Sequence, residues 1–143
     1  MKIGRITSTL ALLLLINLPL SATGSADELF VVITSDDAET QMMAMVLATQ
    51  SFNQDVPVRI LLCSHAGDLA VADKESVEFE PAGRSPKQFM QNLLNQGVQV
   101  EVCGIYLPNR DVEESDLIEG VRVASPPEVA QYMKREGVRY FTF

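Results

Sequence analysis

Positive charge is scarce in this chain: 11 Lys and Arg stand against 19 Asp and Glu, for a formal net charge of −8. An acidic domain repels nucleic acid and anionic membrane surfaces. No basic stretch with interleaved aromatics offsets that repulsion, so nucleic-acid binding is excluded as a function. Glycine-rich phosphate loops are also missing. The first strand-to-helix turn carries Ser35, Asp36 and Asp37, and two carboxylates there would repel a phosphate that needs backbone donors. His65 is the single histidine, and no serine sits on a sharp strand-to-helix elbow, which leaves a hydrolytic triad without its parts. The two cysteines, Cys63 and Cys103, do not form a Cys-x-x-Cys pair, so the thioredoxin-like signature is absent. No cysteine precedes Cys63, which excludes a lipoprotein signal. Internal repeats and low-complexity segments are lacking as well.

The amino terminus carries a targeting pattern. Lys2 and Arg5 precede an apolar run from Leu10 to Leu20, and Ser21, Ala22, Gly24, Ser25 and Ala26 follow. A basic start, a short apolar centre and a small-residue exit describe a secretory signal peptide. The run is short of the roughly 20 residues that span a membrane; an uncleaved anchor is the alternative. A cut after Ala26 removes 26 of 143 residues, leaves 117, and takes the charge from −8 to −10 with the loss of Lys2 and Arg5. That length supports one compact core without metal or disulfide help. Residues 1–26 are thus expected to be a signal peptide and 27–143 one domain, periplasmic and free of the membrane after cleavage. Export places both cysteines where disulfides can persist.

The expected domain alternates strands and helices. Leu29–Thr34 is a continuous β-prone run that reads as a strand buried on both faces. Ser35, Asp36 and Asp37 cap a helix over Ala38–Phe52, with Ala38, Met42, Met45, Thr49 and Phe52 on one face. Met42, Met43 and Met45 are soft potential copper ligands, but at this spacing they read as packing against a sheet. Val58–Leu62 is a second apolar strand, ending in Cys63-Ser64-His65-Ala66-Gly67. Asp68–Arg84 reads as a long loop with a short helix around Leu69–Ala72, either a binding loop or a surface segment. Ser85-Pro86 starts the next helix and Gly97 stops it. Val98, Val100 and Val102 alternate with polar residues as a strand does. An acidic turn at Glu113–Leu117, a strand at Val121–Ala124, a helix from Ser125-Pro126-Pro127 and a final strand at Val138–Phe143 complete the chain. This order predicts an α/β fold: a three-layer α/β/α sandwich around a mostly parallel five-stranded sheet.

Both cysteines fall where an apolar strand gives way to a Gly-containing loop. In an open α/β sheet, ligands and chemistry collect at that carboxyl edge; the plain alternative is a small buried hydrophobe. The pair reads in three ways: a disulfide, reactive thiols, or unrelated core residues. His65 could make a soft-metal site with Cys63 and Cys103, or lower a thiol pKa as a positive neighbour, or be a loop residue without a role.

Taken together, Gly97-Val98-x-Val100-x-Val102-Cys103-Gly104, then Arg110, the acidic run and Asp116–Val121, resemble the DsrE/DsrF-like sulfur-relay family. So do the opening Phe30–Ser35 and the closing Pro127-Glu128-Val129-Ala130 with a terminal strand. The resemblance covers essentially the whole mature chain. It implies a small α/β/α domain that assembles into trimers or hexamers. It also implies a persulfide-carrying cysteine at the position Cys103 matches. The loop Gly104–Asn109 differs from the small-residue run ending in Arg-Gly of the relay members, which work in the cytoplasm. Cys103 is accordingly the candidate catalytic residue, a persulfide carrier that exchanges sulfur with a donor or acceptor protein, with Cys63, His65 and Arg110 as supporting candidates. Arg110 or His65 would stabilise the thiolate. A Cys63/Cys103 redox pair and a non-catalytic oligomeric module are the alternatives. No cofactor is implied.

Overall fold

A computed structural model describes residues 27–143; the expected signal peptide at 1–26 lies outside the described residues. The sheet is built from β1 (Glu28–Ile33), β2 (Val58–Leu62), β3 (Gln99–Cys103), β4 (Arg122–Ala124) and β5 (Val138–Thr142). All five strands run parallel, in the order β4-β3-β2-β1-β5. The helices are α1 (Ala38–Phe52), α2 (Pro86–Asn95) and α3 (Pro126–Tyr132). Parallel neighbours require crossovers, and right-handed crossovers fix which face each helix covers. The chain moves one way through β1, β2, β3 and β4, which puts α1 and α2 together on one face. It then reverses to reach β5, and α3 falls on the other. The expected three-layer α/β/α architecture is the one observed.

The α1/α2 face holds the larger core, with Val31, Ile33, Ile60, Leu62, Val100 and Val102 beneath Ala44, Met45, Met90 and Leu93. Asp37 caps α1 by accepting from the Thr40 amide at 2.7 Å. Ser85 and Gln88 form a capping box on α2, which satisfies two otherwise orphan amides. The buried stripe of α1 is Gln41, Ala44, Met45 and Ala48, rotated from the expected Met42–Thr49 line. Gln41 tolerates burial because its side-chain amide donates to the Ser35 carbonyl at 2.8 Å. Met45 is packed in the core as expected, while Met43 is 55% exposed and does not pack against the sheet.

The face under α3 is smaller and more polar. Phe30, Leu61 and Ala124 form its centre, with Cys63, Val129 and Tyr132 packed around them. Arg59 and Glu101 are buried there as an ion pair, Nη2 to Oε2 at 2.7 Å. The Arg59 guanidinium also lies 4.4 Å from the Tyr132 ring centroid. None of the residues of α3 itself is buried.

The expected loop after β2 is more ordered than its weak periodicity suggested. A 3₁₀ segment spans Ser64–Ala70, starting earlier than the helix expected around Leu69–Ala72. Val71 then bridges Leu117 in antiparallel fashion. Buried Lys87 of α2 ties the next residues down by donating to the Val71 carbonyl at 2.6 Å and also to the Lys74 carbonyl. Burial lowers the Lys87 pKa, and the carbonyls compensate the charge. Among the described residues no helix is long and apolar enough to cross a membrane.

Candidate functional site

Strand order decides what the two cysteines can do. β2 and β3 are neighbours, and their ladder runs in register to Leu62↔Val102. Cys63 and Cys103 are the next residues on each strand, so they stand opposite one another at the carboxyl edge. Leu62 and Val102 point into the α1/α2 core, and strand alternation turns both cysteines to the α3 face. The ladder holds to this edge: the Cys63 amide donates to the Ile33 carbonyl at 2.8 Å, and Cys103 pairs with Ala124 of β4.

Each strand turns sharply at its cysteine. The Cys63 carbonyl accepts from the Ala66 amide at 3.1 Å, and the Cys103 carbonyl accepts from the Tyr106 amide at 2.8 Å. Ser64 follows Cys63 with φ of 51°, a left-handed conformation that side chains other than glycine adopt at a cost. Gly104 follows Cys103, and a β-carbon there would lie 2.9 Å from the Ala124 carbonyl oxygen. Only glycine lets the loop leave so close to β4.

Both thiols are free and half-buried. Burial pushes the Cys63 thiol up to about 12, and the neighbouring Cys103 adds to the rise. Cys63 therefore holds its proton at neutral pH. A protonated thiol beside a second sulfur is a weak hydrogen-bond donor.

The supporting candidates separate. His65 is exposed on the 3₁₀ segment, its Nδ1 3.4 Å from Ser64 Oγ. Arg110 lies over the Tyr106 ring, 5.7 Å from the centroid. Among the described residues no group of three or more His, Cys, Asp or Glu is placed to hold a metal ion, so the soft-metal alternative loses its site.

One cluster escaped the sequence reading. Tyr106, three residues after Cys103, is 4% exposed, and its hydroxyl donates to Asp68 Oδ1. Burial and then Asp68 raise the Tyr106 pKa. The ring lies on Gly67, where a β-carbon would be 2.4 Å from Cδ2. Tyr106 thereby locks the loop after β3 to the 3₁₀ segment after β2 and joins the two cysteine turns. The signal was Gly67 itself, directly after Cys63-Ser64-His65-Ala66. A cavity of about 960 Å³ lies at the opposite end of the sheet, at the starts of β3 and β4, lined by Arg84, Gln99, Glu119 and Arg122 among others. It takes no part in the cysteine edge.

The family model for the DsrE/DsrF-like family matches residues 27–143. The chain belongs to the DsrE/DsrF-like family. Solved structures share its fold: the ychN protein from E. coli superposes with a TM-score of 0.69 at 22% identity, covering 82% of this chain and 99% of that one. The protein of unknown function MTH1491 from Methanobacterium thermoautotrophicum gives 0.61 at 21%, covering 81% and 98%. By sequence, the uncharacterized protein MJ0760 of Methanocaldococcus jannaschii is 25% identical over 121 residues. That match covers 83% of this chain but 44% of the relative, so this chain spans under half the length of that relative.

Proposed function

We propose that this chain is an exported sulfur carrier in which Cys103 accepts and hands on a sulfane sulfur. The observation that carries the reading is the placement of Cys103: half-exposed, at the carboxyl end of β3, in a turn held by Tyr106 and beside a second thiol. The Cys103 thiolate attacks the terminal sulfur of a donor persulfide, R–S–SH. The donor S–S bond breaks, R–S⁻ leaves with the electron pair and is protonated by solvent, and Cys103 becomes Cys103–S–SH. The thiolate is the nucleophile, and an open strand edge admits a protein-borne donor. Arg110, stacked on Tyr106, supplies positive charge near that edge, and His65 lies two residues from Cys63. The signal-peptide pattern supports a periplasmic setting, and the acidic surface favours a basic donor or acceptor protein. Assembly into trimers or hexamers follows the family resemblance.

Loading is read in a Cys63→Ser chain, which leaves one thiol. After incubation with inorganic polysulfide and removal of the excess, its intact mass is expected to rise by one sulfur atom. The gain should map to Cys103, collapse on reduction and be absent in Cys63→Ser/Cys103→Ser. A Cys63→Ser chain that alkylates freely at Cys103 but takes up no sulfur refutes the carrier. The adjacency of Cys63 and Cys103 favours one second reading, a thiol-redox protein that cycles the pair. It is read from the same mass spectra as a Cys63–Cys103 disulfide formed without any sulfur donor.

A further inference from the structure

We propose that this domain also releases the sulfur it carries as hydrogen sulfide, with Cys63 as the resolving thiol that displaces it from Cys103. The inference rests on the carrier reading and deepens it. Its ground is the juxtaposition at the β2/β3 edge. Neighbouring strands lie about 4.8 Å apart, inside the roughly 4.4–6.8 Å between α-carbons that a disulfide spans. In-register residues of adjacent parallel strands project to the same face, and Leu62↔Val102 fixes that register one residue before the cysteines. Neither cysteine is sealed in the core, and the two carbonyls are already held in their turns by Ala66 and Tyr106. The thiols can therefore approach by side-chain rotation, without strand movement.

The step balances within the pair. Cys63 sulfur attacks the Cys103 Sγ of Cys103–S–SH; a Cys63–Cys103 disulfide forms and the bond from Cys103 Sγ to the outer sulfur breaks. The outer sulfur leaves with the electron pair and takes the Cys63 proton, as hydrogen sulfide from the neutral persulfide or as hydrosulfide from its anion. The sulfane sulfur is reduced and the two thiols are oxidised. Burial holds Cys63 as the thiol, and the thiolate is the attacking form, so Cys63 attacks only as its proton passes to the departing sulfur. An external dithiol then reduces the disulfide and resets the pair. Sulfur that an acceptor protein removes first escapes this route, so the pair sets a limit on how long the load persists.

The wild-type mature chain and Cys63→Ser are each loaded with inorganic polysulfide under anaerobic conditions, freed of excess by rapid desalting, and followed by sulfide assay and intact mass after alkylation. Wild type is expected to release one sulfide per chain and to end as a Cys63–Cys103 disulfide with no alkylated thiol. Cys63→Ser keeps its persulfide, and its sulfide release falls about a hundredfold, since an adjacent thiol acts at high effective molarity. Cys63→Ala repeats the comparison should the serine disturb the edge. Wild type that keeps the extra sulfur as long as Cys63→Ser does, with no sulfide formed, overturns the inference while leaving the carrier intact. Failure of Cys63→Ser and Cys63→Ala to take up sulfur at all removes the carrier instead.

Discussion

Gly67→Ala should loosen the cysteine edge, although alanine is normally the better residue in a helical turn. The reason is steric. An added β-carbon would lie 2.4, 2.5 and 2.8 Å from Cδ2, Cε2 and Cγ of Tyr106, all well inside van der Waals contact. The ring is buried and cannot swing aside without giving up the hydroxyl bond to Asp68. Overpacking of this kind costs about 1–3 kcal/mol. Loss of the Tyr106–Asp68 hydrogen bond adds about 1 kcal/mol, for a total of about 2–4 kcal/mol. Urea unfolding gives the stability change. Alkylation of Cys103 reports the local effect, since its turn is closed by the Tyr106 amide. The decisive comparison is a double-mutant cycle with Tyr106→Leu. With the ring gone the clash is gone, and Gly67→Ala becomes neutral or stabilising by about 0.5 kcal/mol through the unfolded chain. An equal cost in both backgrounds would refute the steric account.

Glu101→Ala should destabilise by about 3–5 kcal/mol, because it leaves Arg59 buried without its partner. Arg59→Met/Glu101→Leu should recover most of that loss, as apolar replacements of a buried pair usually do; chemical denaturation checks both. Cys63 gives a signature in pH. Its folded-state pKa is raised to about 12, above that of the unfolded thiol. The folded state therefore keeps a proton that the unfolded state loses in the alkaline range. Stability from this group is complete below the unfolded pKa and falls as pH climbs toward 12. Cys63→Ala should lack that alkaline decline, and Cys63 alkylation should begin at lower pH in Cys103→Ala, where the neighbour's contribution is gone. A decline of the same size in Cys63→Ala would show that other groups cause it.

The local chemistry of the elements was legible in the sequence; their lateral order was not. The caps at Asp37 and Ser85 were visible because capping depends on residues three apart. The alternation of Val98, Val100 and Val102 located β3 for the same local reason. Whether Cys63 and Cys103 face each other depends on β2 and β3 being adjacent, which no local pattern encodes. Arg59 and Glu101 were each a charge inside an apolar strand, a signal in hindsight, but their pairing again needed the strand order. The 3₁₀ segment at Ser64–Ala70 begins earlier than the short helix expected around Leu69–Ala72, because three residues per turn leave no 3.6-residue stripe to detect. Tyr106 was hidden for a related reason: its partners, Gly67 and Asp68, lie on a different turn and meet it only across the sheet edge.

α3 has a consequence for a partner that approaches the thiols. It covers the cysteine face, yet it is seven residues long and has no buried residue. Its hold on the sheet is Val129 and Tyr132 against Phe30, Leu61 and Cys63. Segments with so little buried surface open locally at a small fraction of the free energy of global unfolding. Amide exchange in α3 should then outpace exchange in α1 and α2 by orders of magnitude. A partner protein docking at the open carboxyl edge would thus meet a neighbouring helix that yields at little cost.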